Sequence, residues 1–316
     1  MSAQDRPIRG VLSVFQTPFH EDESIDFSTL MREIEWLFDN GADGIVMAMV
    51  SETLRLSGDE RKEVAEAACI VGRPRGHVVI SVGAESSRVA EALAQHAELA
   101  GASAVMAIPP VSVAVPDDAL RTYYERILQA TALPVIVQDA SGYVGRLMSI
   151  TLQADLFNRF GQRVMFKPEA APIGPRLSAL RTATNGQAAI FEGSGGIALV
   201  ESYRRGIWGT MPGADLVDVI VALWRALEAG NDVLAHRIHA PLAAMISLQP
   251  SLDAFLAVEK HILCRRGIFP NTTVRSPAGF ALDPVTIREV NRLLDELLEV
   301  INPLGKNGTS APIQSL

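Results

Sequence analysis

Eight times along the chain, a short apolar run rich in β-branched residues is followed by a longer stretch of different rhythm. The runs are GVLSVF (10–15), GIVMAM (44–49), HVVISV (77–82), AVMAIP (104–109), PVIVQ (134–138), VMFK (164–167), AIFEG (189–193) and GIWGTM (206–211). They lack clean apolar–polar alternation, which is the pattern of parallel strands buried on both faces. The stretches between them have helical spacing. In DFSTLMREIEWLFDNG, Leu30, Ile34, Leu37 and Phe38 share one face and Gly41 stops the helix. Eight βα units, mostly 25 to 34 residues apart, predict an α/β chain folded as a (β/α)₈ TIM barrel. A doubly wound open sheet is the alternative, but no G-x-G-x-x-G follows the first run. After about residue 215 the runs stop and four helical stretches follow. The expected organisation is a catalytic barrel over 1–215, a C-terminal helical appendage over 216–302 and a loose polar tail over 303–316.

Length and charge narrow the function. A chain of 316 residues, 48% hydrophobic, buries a core without disulfide or metal staples. A net charge of −8 argues against nucleic acid or an anionic membrane as the main partner. Cys69 and Cys264 stand far apart without a metal-ligand pattern, so a reduced, cytoplasmic setting is expected. The N-terminus has no apolar signal core, and no window reaches the roughly 18 apolar residues of a membrane span.

In a barrel of this kind, functional side chains gather at the C-terminal ends of the strands. Lys167 ends the sixth run, and Glu169 lies two residues on, on the same face if the chain stays extended. Burial makes an amine easier to deprotonate, and a neutral amine can attack a ketone to give a Schiff base. Glu169 would then be a general acid or base. The plainer reading is a simple Lys167–Glu169 ion pair. At the second strand end, the Ser51 hydroxyl and nearby backbone N–H groups could hold a carboxylate, or Ser51 could merely shape a turn. Gly193 and Ser194 open the GSGG loop (193–196), which suits either ligand approach or a tight turn. Gln138 and Asp139 close the fifth run. His236 and His239 lack a third ligand and read as helix surface, and no metal site is expected. Tyr123 and Tyr124 lie in a helical pattern and read as packing residues.

The segments GVLSVFQTPF, GADGIVMAMVSETLRLSGDER, VMAIPP, LPVIVQDASG and VMFKPE resemble the dihydrodipicolinate synthase / N-acetylneuraminate lyase family from about residue 9 to 302. The resemblance implies a barrel enzyme, commonly a dimer or tetramer, acting on a small 2-keto acid. It also implies a Schiff base on Lys167, with no metal or organic cofactor. Departures from the family pattern are specific. Its Gly-Thr-Thr-Gly-Glu stretch reads Ala48-Met49-Val50-Ser51-Glu52 here, so the relay hydroxyls are absent and the substrate would meet Val50 and Ser51. Its strand-five tyrosine is Gln138, the tyrosine after strand four is Val111, and the position of a substrate-binding arginine is Tyr143. An amide does not titrate, so a tyrosine-centred relay is not expected. The VQDA strand end and the Phe-Lys-x-Glu motif are similar to L-2-keto-3-deoxyarabonate dehydratase and its relatives. This likeness implies dehydration of a 2-keto-3-deoxy sugar acid with Glu169 as acid/base. A pyruvate-dependent aldolase or dihydrodipicolinate synthase-like activity is the alternative, followed by a non-catalytic keto-acid binder.

Overall fold

The computed structural model describes residues 6–302, so the tail expected at 303–316 lies outside the described residues. Eight strands form, one at each of the eight apolar runs, with β5 and β6 each running one residue past its run: β1 Gly10–Val14, β2 Gly44–Val46, β3 His77–Ser81, β4 Ala104–Ala107, β5 Val135–Asp139, β6 Val164–Pro168, β7 Phe191–Glu192 and β8 Gly209–Thr210. All pairings are parallel, in the order β6-β5-β4-β3-β2-β1-β8-β7. A parallel bridge between Phe166 and Ile190, with the Phe166 N–H donating to the Ala189 carbonyl at 2.9 Å, joins β6 to the approach of β7 and rounds the sheet into a barrel.

Every strand residue is buried, yet its two faces serve different cores. Leu12, Val14, Val46, Val79, Met106, Ile136 and Phe191 fill the barrel interior. Val11, Ile45, Val78, Val105 and Phe166 point outward into the layer beneath the helices. Alternation of side-chain direction is therefore present, but both directions are apolar.

Helices α1 (Phe27–Asp39), α2 (Gly58–Gly72), α3 (Ser87–Ala100), α4 (Asp117–Ala130), α5 (Ile150–Phe160), α6 (Ile173–Ala183) and α7 (Leu199–Arg204) each follow a strand. Starts and stops are chemical. Asp26 accepts from the Thr29 N–H at 3.0 Å to cap α1, and Gly101 ends α3 in the left-handed region at φ 93°. Helix α8 (Val217–Glu228) packs on β1. Helices α9 (Asp232–Ser247), α10 (Leu252–Arg265) and α11 (Pro284–Ile301) complete the chain, and α10 comes to rest on the turn after β2. No helix among the described residues is long and apolar enough to cross a membrane.

Three strands, β2, β7 and β8, are shorter by three or more residues than the apolar runs that contain them. β2 stops at Val46, and Met49–Ser51 winds into a single 3₁₀ turn. β7 and β8 are two residues each, although Met211 N–H still donates to the Glu192 carbonyl at 2.8 Å, and Val14 N–H to the Pro212 carbonyl at 2.7 Å. Tyr123 and Tyr124 are buried under the fourth strand end, with their hydroxyls on the Ile108 and Ala107 carbonyls. His239 bonds the Ile197 carbonyl and His236 sits exposed beside Arg204. No cluster of three or more His, Cys, Asp or Glu placed to hold a metal ion occurs among the described residues.

Candidate active site

β6 carries Lys167 to the barrel mouth, where the side chain is only 3% exposed. Its amine donates to Glu169 Oε1 at 2.8 Å. Pro168 keeps the chain extended, and the Glu169 N–H continues the ladder by donating to the Asp139 carbonyl at 2.9 Å. Glu169 therefore returns to the face of Lys167. Gln138 on β5 lies in register with Lys167, and its Nε2 donates to Glu169 Oε2 at 2.6 Å. Both carboxylate oxygens are thus held. Burial raises the Glu169 pKa above the ordinary range, while the Lys167 charge and the bonds from Lys167 and Gln138 pull against it.

Gly193 completes this corner. A Cβ there would lie 2.6 Å from Lys167 Cε and 2.9 Å from Glu169 Cγ, so only glycine lets the β7 end close over the pair. The loop behind it is tied down from below. Buried Glu192 accepts from the Ser194 N–H and hydroxyl through one oxygen, and from Thr210 Oγ1 at 2.8 Å through the other.

Lys167, Glu169, Gln138, Gly193 and Val50 line one pocket. Three other expected residues do their work around it. The Ser51 hydroxyl is fully buried, donates to the Phe15 carbonyl and accepts from the Ala48 N–H at 3.1 Å, so it shapes the turn that presents Met49 and Val50 to the pocket. Asp139 accepts from Ser141 and from the Met148 N–H at 3.2 Å and pairs with Arg176 at 3.2 Å, which orders the loop after β5. Ser194 is bound to Glu192 as described.

Several lining residues were not expected from the sequence, whereas Tyr143 was expected at the site only through the family resemblance. Leu252, Phe255 and Glu259 come from α10, and Tyr143 from the loop after β5. The Tyr143 ring packs edge-on against Phe255, with centroids 5.7 Å apart. Burial, reinforced by the charges of Glu169, Glu192 and Glu259, pushes its phenol far above the usual range. A phenol thus stands in the pocket, but from a loop rather than from the end of β5. No local pattern marks Glu259, which is an ordinary helical glutamate until α10 is folded onto the barrel.

The arrangement combines a buried amine, a carboxylate held to it and an otherwise largely apolar wall. The model of the dihydrodipicolinate synthetase family matches residues 7–296. A 4-hydroxy-tetrahydrodipicolinate synthase of Bartonella bacilliformis is 28% identical, covering 85% of this chain and 92% of that protein. An L-2-keto-3-deoxyarabonate dehydratase of Azospirillum brasilense is 26% identical, covering 92% of this chain and 96% of its own length. Among solved structures, a dihydrodipicolinate synthase of Rhodopseudomonas palustris superposes with a TM-score of 0.84 at 26% identity, covering 94% of this chain and 99% of that one.

Proposed function

The chain belongs to the dihydrodipicolinate synthetase family, a family of lyases, and from that premise we propose that it dehydrates a 2-keto-3-deoxy sugar acid through a Schiff base on Lys167. One observation carries the reading: the carboxylate held against the amine is Glu169, fixed by an amide from Gln138 where a tyrosine relay would otherwise stand.

The proton balance closes on these two groups. Glu169 takes a proton from the Lys167 ammonium, and the freed amine attacks the C2 carbonyl to give a carbinolamine. Glu169 returns the proton to the carbinolamine hydroxyl, which leaves as water, and the iminium forms. The iminium makes C3 acidic, and Glu169, again a carboxylate, removes a C3 proton to give the enamine. The enamine electrons expel the C4 hydroxyl, which takes the proton from Glu169 and leaves as a second water. Hydrolysis consumes one water, frees Lys167 and releases the dehydrated keto acid. The Met49 and Val50 amides at the start of the 3₁₀ turn lack a backbone partner among the described residues and suit the C1 carboxylate.

Aldol cleavage between C3 and C4 shares the Schiff base, and the Tyr143 phenol in the pocket favours keeping it as the second reading. Incubation with 2-keto-3-deoxypentonate, borohydride reduction and mass spectrometry test the class: an adduct is expected on Lys167. Product analysis then separates the two, a single dehydrated acid for the first reading and pyruvate plus an aldehyde for the second. A folded protein that forms no adduct with the sugar acid or with pyruvate would sink both.

A further inference from the structure

A second carboxyl reaches the same pocket from outside the barrel. Glu259 of α10 is 2% exposed and lines the pocket on the side where β1 and β8 end, next to Gly213. Its Oε2 accepts from the Gln16 side-chain amide, while Oε1 has no partner among the described residues. Gly213 makes the approach possible, because a Cβ at that position would overlap the Glu259 carboxyl. Neighbouring walls at this end are apolar: Leu252, Phe255 and Met211. Glu259 therefore brings a carboxyl to a cavity end whose walls are otherwise mostly apolar.

We propose that Glu259 is a substrate-binding residue, hydrogen-bonding a hydroxyl on the distal part of the sugar acid while Lys167 holds C2. This rests on the reading of the pocket given above and narrows it to keto acids with a hydroxylated tail. Pyruvate ends at C3, beside Glu169, and leaves Glu259 untouched. A longer polyhydroxy chain extends towards α10.

The electrostatics agree with a hydroxyl partner. The titratable groups facing Glu259 are Asp215 from the segment after β8, Glu33 from α1, Lys260 on its own helix and the neutral phenol of Tyr143 across the pocket. Burial, then Asp215 and Glu33, push the Glu259 carboxyl well above the usual range, against the Gln16 bond and the Lys260 charge. A carboxyl accepts from a hydroxyl in either protonation state, and the acidic cluster of Glu259, Asp215 and Glu33 disfavours a second substrate carboxylate there.

The test is calorimetric affinity for 2-keto-3-deoxypentonate and for pyruvate in the wild-type protein, Glu259→Leu and Glu259→Gln. Glu259→Leu is expected to weaken the sugar acid at least tenfold more than pyruvate, and the isosteric Glu259→Gln to recover most of that difference. Equal weakening of both ligands would show that Glu259 only supports the fold there. A sugar-acid affinity within twofold of wild type in Glu259→Leu would overturn the proposal directly. Failure of the Schiff-base reading looks different: wild-type protein would bind the sugar acid, yet borohydride would leave Lys167 unmodified. Wild-type protein that binds pyruvate but not the sugar acid would overturn the substrate class and this inference with it.

Discussion

In the proposed mechanism Glu169 pulls a proton from carbon near neutral pH, which a stronger base than a carboxylate in water does better, and burial raises its pKa in that direction. Its active form is the ionised one, so kcat/KM is expected to fall as pH drops through a pKa above the roughly 4.3 of free glutamate. Gln138→Ala removes one of the bonds that lowers that pKa, and the acid limb should move to higher pH. Glu169→Gln should still form the reducible adduct on Lys167 while turnover falls by about a hundredfold or more, since positioned acid–base groups contribute about 10²–10⁴. Equal loss of adduct and turnover in Glu169→Gln would instead put the role of Glu169 in Schiff-base formation and not in removal of the C3 proton. Lys167 and Glu169 were legible in the sequence because a charged amine at the end of a buried apolar run demands an explanation, and i,i+2 spacing in an extended chain supplies its neighbour. Ser51 and Ser194 were legible as polar strand ends, but no sequence pattern says that their hydroxyls face Phe15 and Glu192 rather than the pocket. Glu259 could not be read at all, because its place depends on how a distant helix settles on the barrel, and Tyr143 was placed at a substrate-binding position only by the family resemblance.

Among the elements, α10 is fastened to the barrel by one buried cation. Lys260 is fully buried, and its amine donates to Glu52 Oε1 at 2.5 Å, to the Thr17 carbonyl at 2.9 Å and to the Thr273 carbonyl at 2.7 Å, over the Phe19 ring at 4.6 Å. Glu52 follows the 3₁₀ turn that presents Met49 and Val50, in the left-handed region at φ 56°. Removing one partner of such a pair leaves a buried charge behind, a loss of about 3–5 kcal/mol. Lys260→Met is expected near the lower end, because Glu52 keeps the Arg275 N–H at 3.1 Å. Urea unfolding measures it, and adding Glu52→Gln should restore part of the loss. A Lys260→Met protein within 1 kcal/mol of wild type, on the scale of an exposed pair, would contradict this reading. At this scale the sequence was legible for all eight strands, since their burial on both faces leaves long apolar runs. It was less legible for their ends. The run at 44–49 contains both β2 and the start of a turn, and apolarity alone does not separate them.

For the whole molecule, buried acids and ion-paired acids nearer the surface pull stability in opposite directions along the pH axis. Glu60, paired with Arg275, is drawn down to about 2, so its contribution is present above the unfolded pKa of about 4.3 and lost as pH falls towards 2. Asp215 is pushed up to about 7, first by burial, so its contribution is present below the unfolded value of about 3.9 and lost as pH rises through 7. Glu33 and Glu259 act with the same sign as Asp215. Unfolding midpoints in urea should therefore decline from pH 5 to pH 8, and Asp215→Asn should make that decline shallower; an unchanged slope would remove Asp215 from the account. One consequence concerns insertions and deletions. Glu259 and Lys260 are adjacent on α10, one turned to the pocket and the other to Glu52, and neighbours on an α-helix differ in direction by about 100°. A residue gained in the first turns of α10 would turn Glu259 towards Glu52 and Val258 towards the pocket, whereas a residue lost there would turn Lys260 towards the pocket and His261 towards Glu52. Length in this helix is thus as tightly constrained as identity: loss of one codon there would invert the charge of the pocket wall, and gain of one would erase it, without altering any barrel residue.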